Sequence, residues 1–319
     1  DASFDEPPTQ IDLDSPAHRD VARRLAEESV VLLTNDGTLP LLGAGRPTPA
    51  RVAVIGPNAQ RPEALMGCYS FANHVLAHHP GMELGFEIPS VLEALTGELA
   101  GSQVDFAEGC SVEGEDRSGF DAAVELASRS DVAVLVVGDQ AGLFGRGTVG
   151  EGNDTESLAL PGVQRELVEA VMATGTPVVM VMLTGRPYAI GWAVEGPSAP
   201  AAVIQSFFPG EEGGTAIAGI LSGRVNPSGR LSVTMPRSAG AQPYSYLRPI
   251  LAGPSEVTST DSSPVLPFGH GLSYTTTEFT EVVAVATDDG IDVTLRATNT
   301  GDHDGPAVAV AGVHGSGHL

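Results

Sequence analysis

Val132-Ala-Val-Leu-Val-Val-Gly138, Gly145-Arg-Gly-Thr-Val-Gly-Glu-Gly-Asn-Asp154 and Leu160-Pro-Gly-Val-Gln164, in that order, decide the reading of this chain. The first segment is apolar throughout, as a strand buried on both faces must be. The last opens an amphipathic helix, with Val163, Leu167, Ala170 and Val171 on one face. Between them lies a glycine-rich loop at a strand's C-terminal end, where open α/β sheets place ligands. The loop sets one carboxylate, Glu151, between two glycines. Two readings of it stand. It is a solvated turn whose acids favour the N-terminus of the following helix, or it is a proton donor carried on a functional loop.

The same grammar runs outward in both directions. Further strands are expected at Val52–Ile55, Val104–Ala107, Val178–Leu183, Ala202–Gln205 and Leu231–Thr234. Helices are expected over Asp20–Leu33, over Ser90–Leu99 and from Gly210 into Ala216–Leu221. Strands alternating with helices predict an α/β fold, a doubly wound and mostly parallel sheet sandwich, over residues 16–237. Residues 238–264, with Tyr244 and Tyr246, read as an ordered connection. Beyond it the pattern turns to short alternating runs, Glu281–Ala286, Ile291–Ala297 and Ala307–Gly312, with turns at Asp288-Asp-Gly290 and Asn299-Thr-Gly-Asp302. Residues 265–319 therefore predict the start of a β-sandwich. A complete one needs about seven strands and about 100 residues, so this one is incomplete.

Composition removes whole classes of function. The chain has 319 residues, 42% of them hydrophobic, enough for roughly two domains. A net charge of -24 speaks against nucleic acid and anionic membrane as partners. All sixteen basic residues are arginine, which reads as compositional bias. No apolar run approaches the roughly 20 residues that span a bilayer. The Pro-rich opening, residues 1–15, reads as a linker rather than a signal peptide, which points to something before it. Cys68 and Cys110 lack zinc-site spacing, and one bridge or two free thiols are both open.

Other chemistries are weak. Gly56-Pro57-Asn58 follows a strand but is not a dinucleotide fingerprint, and Pro57 removes a donor a phosphate would use. No serine-hydrolase elbow is present. His74, His78 and His79 cluster without an element to present them to a metal, so no metal site is assigned. His270 reads as structural or as part of an active-site rim.

A series of motifs in fixed order resembles glycoside hydrolase family 3, in its second, α/β-sandwich domain. They are Ala26-Glu-Glu-Ser-Val-Val-Leu-Leu-Thr-Asn35 with Leu39-Pro-Leu41, Val54-Ile-Gly-Pro-Asn-Ala59, Gly67-Cys-Tyr-Ser70 and Gly150-Glu-Gly-Asn-Asp154 with Leu158-Ala-Leu-Pro-Gly-Val-Gln164. Phe208-Pro-Gly-Glu-Glu-Gly-Gly214, Gly223-Arg-Val-Asn-Pro-Ser-Gly-Arg-Leu231 and Leu266-Pro-Phe-Gly-His-Gly-Leu-Ser-Tyr274 complete the series.

The resemblance implies a retaining exo-β-glycosidase, of the bacterial β-glucosidase or β-xylosidase type. Its substrate would be an oligosaccharide or an aryl or alkyl β-glycoside with a non-reducing-end glucose or xylose. An N-terminal (β/α)8 barrel would supply an aspartate nucleophile, and Glu151 would be the general acid/base. Tyr69 and Ser70, on the loop after the first strand, would approach the sugar, and a fibronectin-III-like domain would follow residue 264. The retaining mechanism needs no metal or organic cofactor. The chain departs from the family at Thr34, often Lys, and at Thr155, often Arg. No segment here offers the barrel or its aspartate, so the isolated chain is expected to be inactive. A non-catalytic carbohydrate-binding or interaction module is the alternative, and a nucleotide-binding α/β domain a weaker one. A homodimer and a secreted or cytoplasmic location are both compatible with the sequence.

Overall fold

Six of the apolar runs pair into one sheet in a computed structural model of the chain, which describes residues 12, 14–43, 45–79, 81–241, 255–257, 259 and 261–309. The strands are β1 (Val31–Asn35), β2 (Arg51–Ile55), β3 (Gln103–Ala107), β4 (Val132–Gly138), β5 (Val178–Leu183) and β6 (Ala202–Gln205). Their order is β1-β6-β5-β4-β2-β3. All pairs are parallel except β1 with β6. Val54 lies opposite Val134, Leu135 opposite Met180, and Val181 opposite Ile204.

The continuous hydrophobicity of the inner strands β4 and β5 has a direct cause, because both faces are covered, whereas the edge strand β3 is only partly buried. Val54, Val134, Val136, Val181 and Ile204 pack toward α2 (Val91–Glu98) and α6 (Gly213–Ser222), through Val91, Leu95, Ile217 and Leu221. Their neighbours Ile55, Leu135, Val137, Met180 and Val203 pack toward α3 (Phe120–Ser128), α4 (Gln164–Met172) and α5 (Gly191–Val194). The expected doubly wound layering is present, with α3 and the short α5 as additional helices.

Helix α2 begins as its sequence dictates. The Ser90 hydroxyl accepts the Glu93 N–H at 3.2 Å, and the Glu93 carboxylate accepts the Ser90 N–H at 2.9 Å, a reciprocal capping box. The bond from the Ser90 N–H, with a second donated by the Ser90 hydroxyl to the same carboxylate at 2.8 Å, holds the Glu93 carboxyl below the usual range. A depressed folded pKa gives stability that is present above the unfolded value and lost as pH falls through the folded one. Ser90→Ala is expected to cost about 1–2 kcal/mol by urea denaturation, and to flatten the acid limb of the stability profile.

Two expectations fail. The helix predicted over Asp20–Leu33 is α1 (Pro16–Ser29), which stops at Ser29. Val30 is already extended, and Val31–Asn35 form the antiparallel edge strand β1. Tertiary pairing overrides the apolar spacing here. Leu231–Thr234 is not a strand. Its backbone is clasped at its ends by residues 265–270, with Leu231 donating to His270 O at 2.8 Å and Met235 to Leu266 O at 2.9 Å. The adjoining piece of chain covers the outer edge of β1, where Leu272 donates to Leu32 O at 2.8 Å. That contact removes an exposed sheet edge. His270 joins the same closure, its Nε2 lying 2.8 Å from Leu33 O, which makes it structural.

Beyond Tyr274 the chain forms an antiparallel hairpin of β7 (Thr277–Thr287) and β8 (Gly290–Asn299), turning at Asp288-Asp289. The third run expected there is not a strand over residues 307–309, and its remainder lies outside the described residues, as do Tyr244, Tyr246 and most of the opening segment. Cys68 and Cys110 are both free thiols, and burial pushes the Cys110 thiol up to about 11.

Candidate active site

The sheet order fixes where a ligand would sit. From β2 the chain crosses to β3 on one side, then back past β2 to β4 on the other. The loops after β2 and β4 therefore flank the point where the winding reverses, and the crevice outside such a point is where open α/β sheets bind ligands. Glu151 lies in the loop after β4, and Tyr69 and Ser70 lie in the loop after β2.

The two loops meet. The Tyr69 hydroxyl donates to Glu151 Oε2, and both residues are exposed. This bond raises the Tyr69 phenol above its ordinary range. The Ser70 hydroxyl accepts the Asn73 N–H at 3.2 Å, so it caps the wide turn Phe71–Val75. Its own proton is left to donate elsewhere. His74, His78 and His79 are exposed on this loop, and no cluster able to hold a metal occurs among the described residues.

A buried carboxylate sets the Glu151 loop. Asp139, the first residue after β4, is fully buried. It accepts the Thr148 hydroxyl at 2.6 Å, the Gly185 N–H at 2.9 Å and the Tyr188 hydroxyl at 2.5 Å. Burial, more than the adjacent Asp139 charge, drives the Tyr188 phenol far upward. Such a carboxylate is tolerable inside the protein only because donors surround it. Arg186 Nη2 donates to Thr148 O at 3.1 Å and to Asn153 O at 2.8 Å. The Asn153 amide donates to Gly142 O at 3.0 Å and Arg146 O at 3.1 Å, while its Oδ1 accepts the Gly145 N–H at 2.9 Å. Gly150 has φ +126° and lies against Gly142 O and the Cys68 side chain. The loop is thus braced on both sides of Glu151, whose own main chain is held by a 2.8 Å bond from Phe144 N–H. None of Asp139, Thr148, Arg186 or Tyr188 stood out in the sequence. An aspartate directly after an all-apolar strand was the available signal.

The turn after β2 does not serve a phosphate. The Asn58 N–H is used on Val136 O at 3.3 Å, and its side chain donates to Asp139 O at 3.0 Å. A cleft of about 530 Å³ opens beside the Glu151 loop, lined by Glu113, Thr148, Asn153, Thr155, Leu160 and Arg186 among others. A larger one, about 730 Å³, lies at the opposite end of the strands near Pro177 and Trp192, away from the carboxylate. No helix among the described residues is long and apolar enough to cross a membrane.

Residues 30–274 match the glycosyl hydrolase family 3 C-terminal domain. A beta-xylosidase of Formosa agariphila is 35% identical over 96% of this chain and 42% of its own length. A periplasmic beta-glucosidase of Salmonella typhimurium is 32% identical over 94% of this chain and 41% of its own. A beta-glucosidase structure from Erythrobacter marinus superposes with a TM-score of 0.72 at 33% identity, over 91% of this chain and 40% of that one. The chain spans about two fifths of the length of the curated relatives it matches. With the motif order, the sheet and these matches in agreement, the chain belongs to glycosyl hydrolase family 3 and carries its C-terminal domain.

Proposed function

We propose that this chain is part of a retaining exo-β-glycosidase that removes non-reducing-end β-D-glucosyl or β-D-xylosyl residues, with Glu151 as its general acid/base. An N-terminal (β/α)8 barrel supplies the aspartate nucleophile. The observation that carries the reading is the position of Glu151, an exposed carboxylate on a braced loop at the switch point of the sheet. Relatives named beta-xylosidase and beta-glucosidase support the substrate class, and their greater length leaves room for a barrel.

The chemistry follows from two carboxyl groups about 5–5.5 Å apart. The barrel aspartate attacks the anomeric carbon as Glu151 gives its proton to the departing glycosidic oxygen. A glycosyl-enzyme forms and the aglycone leaves. Glu151, now a carboxylate, takes a proton from the water that attacks the anomeric carbon, and the sugar departs with its configuration retained. Tyr69 fixes one carboxylate oxygen and leaves the other for the aglycone. Tyr69 and Ser70 border the sugar, with the Ser70 proton available to a sugar hydroxyl.

External azide tests the role. In the enzyme that joins this chain to its barrel, Glu151→Ala should turn over an activated aryl β-glycoside faster with azide and release the β-glycosyl azide. Absence of that product, with wild-type turnover abolished, would remove Glu151 from the acid/base role.

A further inference from the structure

We infer that Arg186 is a positioning residue for Glu151, acting through the main chain on either side of it. The inference rests on the acid/base reading of Glu151. One guanidinium nitrogen, Nη2, donates to both Thr148 O at 3.1 Å and Asn153 O at 2.8 Å. These carbonyls bracket the turn that carries Glu151. Two hydrogens on one planar nitrogen point in fixed directions, so the pair of bonds sets the spacing between the two ends of the turn. Bonds from a charged donor are shorter and stronger than neutral ones, so this spacing is held firmly.

The arginine is itself referenced to the sheet. Asp139 accepts the Gly185 N–H at 2.9 Å, directly before Arg186, and the Thr148 hydroxyl at 2.6 Å. Asp139, Gly185-Arg186 and Thr148 therefore close a triangle of bonds whose corner is the end of β4. A triangle does not shear, so the Glu151 carboxyl keeps its height above the sheet when another part of the enzyme presses on the loop. Arg186 also lines the cleft beside the loop. It makes no hydrogen bond or ion pair with Glu151, so its effect is on placement alone.

The test uses the enzyme that joins this chain to its barrel, assayed on aryl β-glycosides of graded leaving-group ability. Arg186→Ala should lower kcat on unactivated aglycones by about 10²-fold, the effect of a misplacement of about 1 Å, with KM little changed. The kcat/KM for a strongly activated aglycone, whose departure needs no proton, should stay near the wild-type value, while its kcat falls because the same carboxyl serves as base in the second step. Arg186→Lys should restore part of the loss, because an ammonium can reach two carbonyls but lacks the planar fork. Should Arg186→Ala fail to fold, Thr148→Val decides the matter. It removes the hydroxyl that ties the turn to Asp139 and should show the same leaving-group selectivity. Equal losses in kcat/KM on all aglycones, or no loss, would overturn the positioning role. Glu151→Gln measured alongside separates the two ideas. If it is selective and Arg186→Ala is not, only the positioning role falls; if Glu151→Gln is itself unselective, the acid/base reading falls and takes the positioning role with it.

Discussion

Glu151→Gln in the enzyme joined to its barrel is expected to reduce kcat/KM on alkyl and unactivated aryl β-glycosides by about 10²–10⁴-fold, the usual contribution of general acid catalysis. That is about 3–5 kcal/mol of transition-state stabilisation. The substitution preserves shape and the hydrogen bond accepted from Tyr69, but the amide has no proton to give and cannot take one from water. The loss should therefore grade with the aglycone. A strongly activated leaving group departs unaided, so its kcat/KM should stay near the wild-type value. Its kcat should nevertheless fall, because water attack on the glycosyl-enzyme has lost its base. With the intermediate accumulating, KM should fall together with kcat, and a burst of aglycone should precede the steady state. Steady-state and stopped-flow kinetics over a leaving-group series read all of this, and a uniform loss across the series would rule the acid/base role out.

Gly150→Ala is the second large effect, and it acts through geometry. A Cβ at this position would stand 1.9 Å from Gly142 O and 2.8 Å from the Cys68 Cβ, at a φ of +126° that side chains rarely adopt. The backbone conformation costs about 1–3 kcal/mol, and forcing a methyl into packed structure costs about 1–3 kcal/mol more. Urea denaturation should show a loss of about 3 kcal/mol. Activity should fall by about 10²-fold, because Glu151 is the next residue and its loop must shift. Gly145→Ala is the control, since its φ is +83° but nothing lies within 4 Å of the added carbon. A Gly150→Ala protein as stable and active as the Gly145→Ala one would refute the account.

The central parallel strands β4 and β5 were legible in the sequence because each is buried on both faces and so is apolar without interruption. Val132–Gly138 and Val178–Leu183 leave nothing else to infer. The same property hid β1. Val30-Val31-Leu32-Leu33 continues the apolar spacing of α1 with no glycine or proline between, and periodicity alone cannot separate a buried helix end from a short buried strand. Leu231–Thr234 misled for the opposite reason. It has strand composition, but only its ends find backbone partners. Helix α3 is not among the expected helices, although Phe120, Ala123, Leu126 and Ala127 share a helical face. At the candidate site, Glu151 stood out because two glycines isolate it. Its supports did not, because Asp139, Thr148, Arg186 and Tyr188 come from separate segments that only the fold brings together.

The pairing of β1 with β6 has a consequence for how the chain is made. Val31 lies opposite Gln205, and the outer edge of β1 is closed by Leu272, so this strand is made well before both its neighbours. Pairings of long sequence separation bear the full entropy of closing the intervening chain and form slowly. The bonds around Glu151 link Asp139, Thr148, Asn153, Arg186 and Tyr188, a much shorter span. During synthesis the parallel strands β2 to β5 and the Glu151 loop can be assembled while β1 still waits without a partner. The Glu151 turn can then form before the edge of its own sheet is sealed.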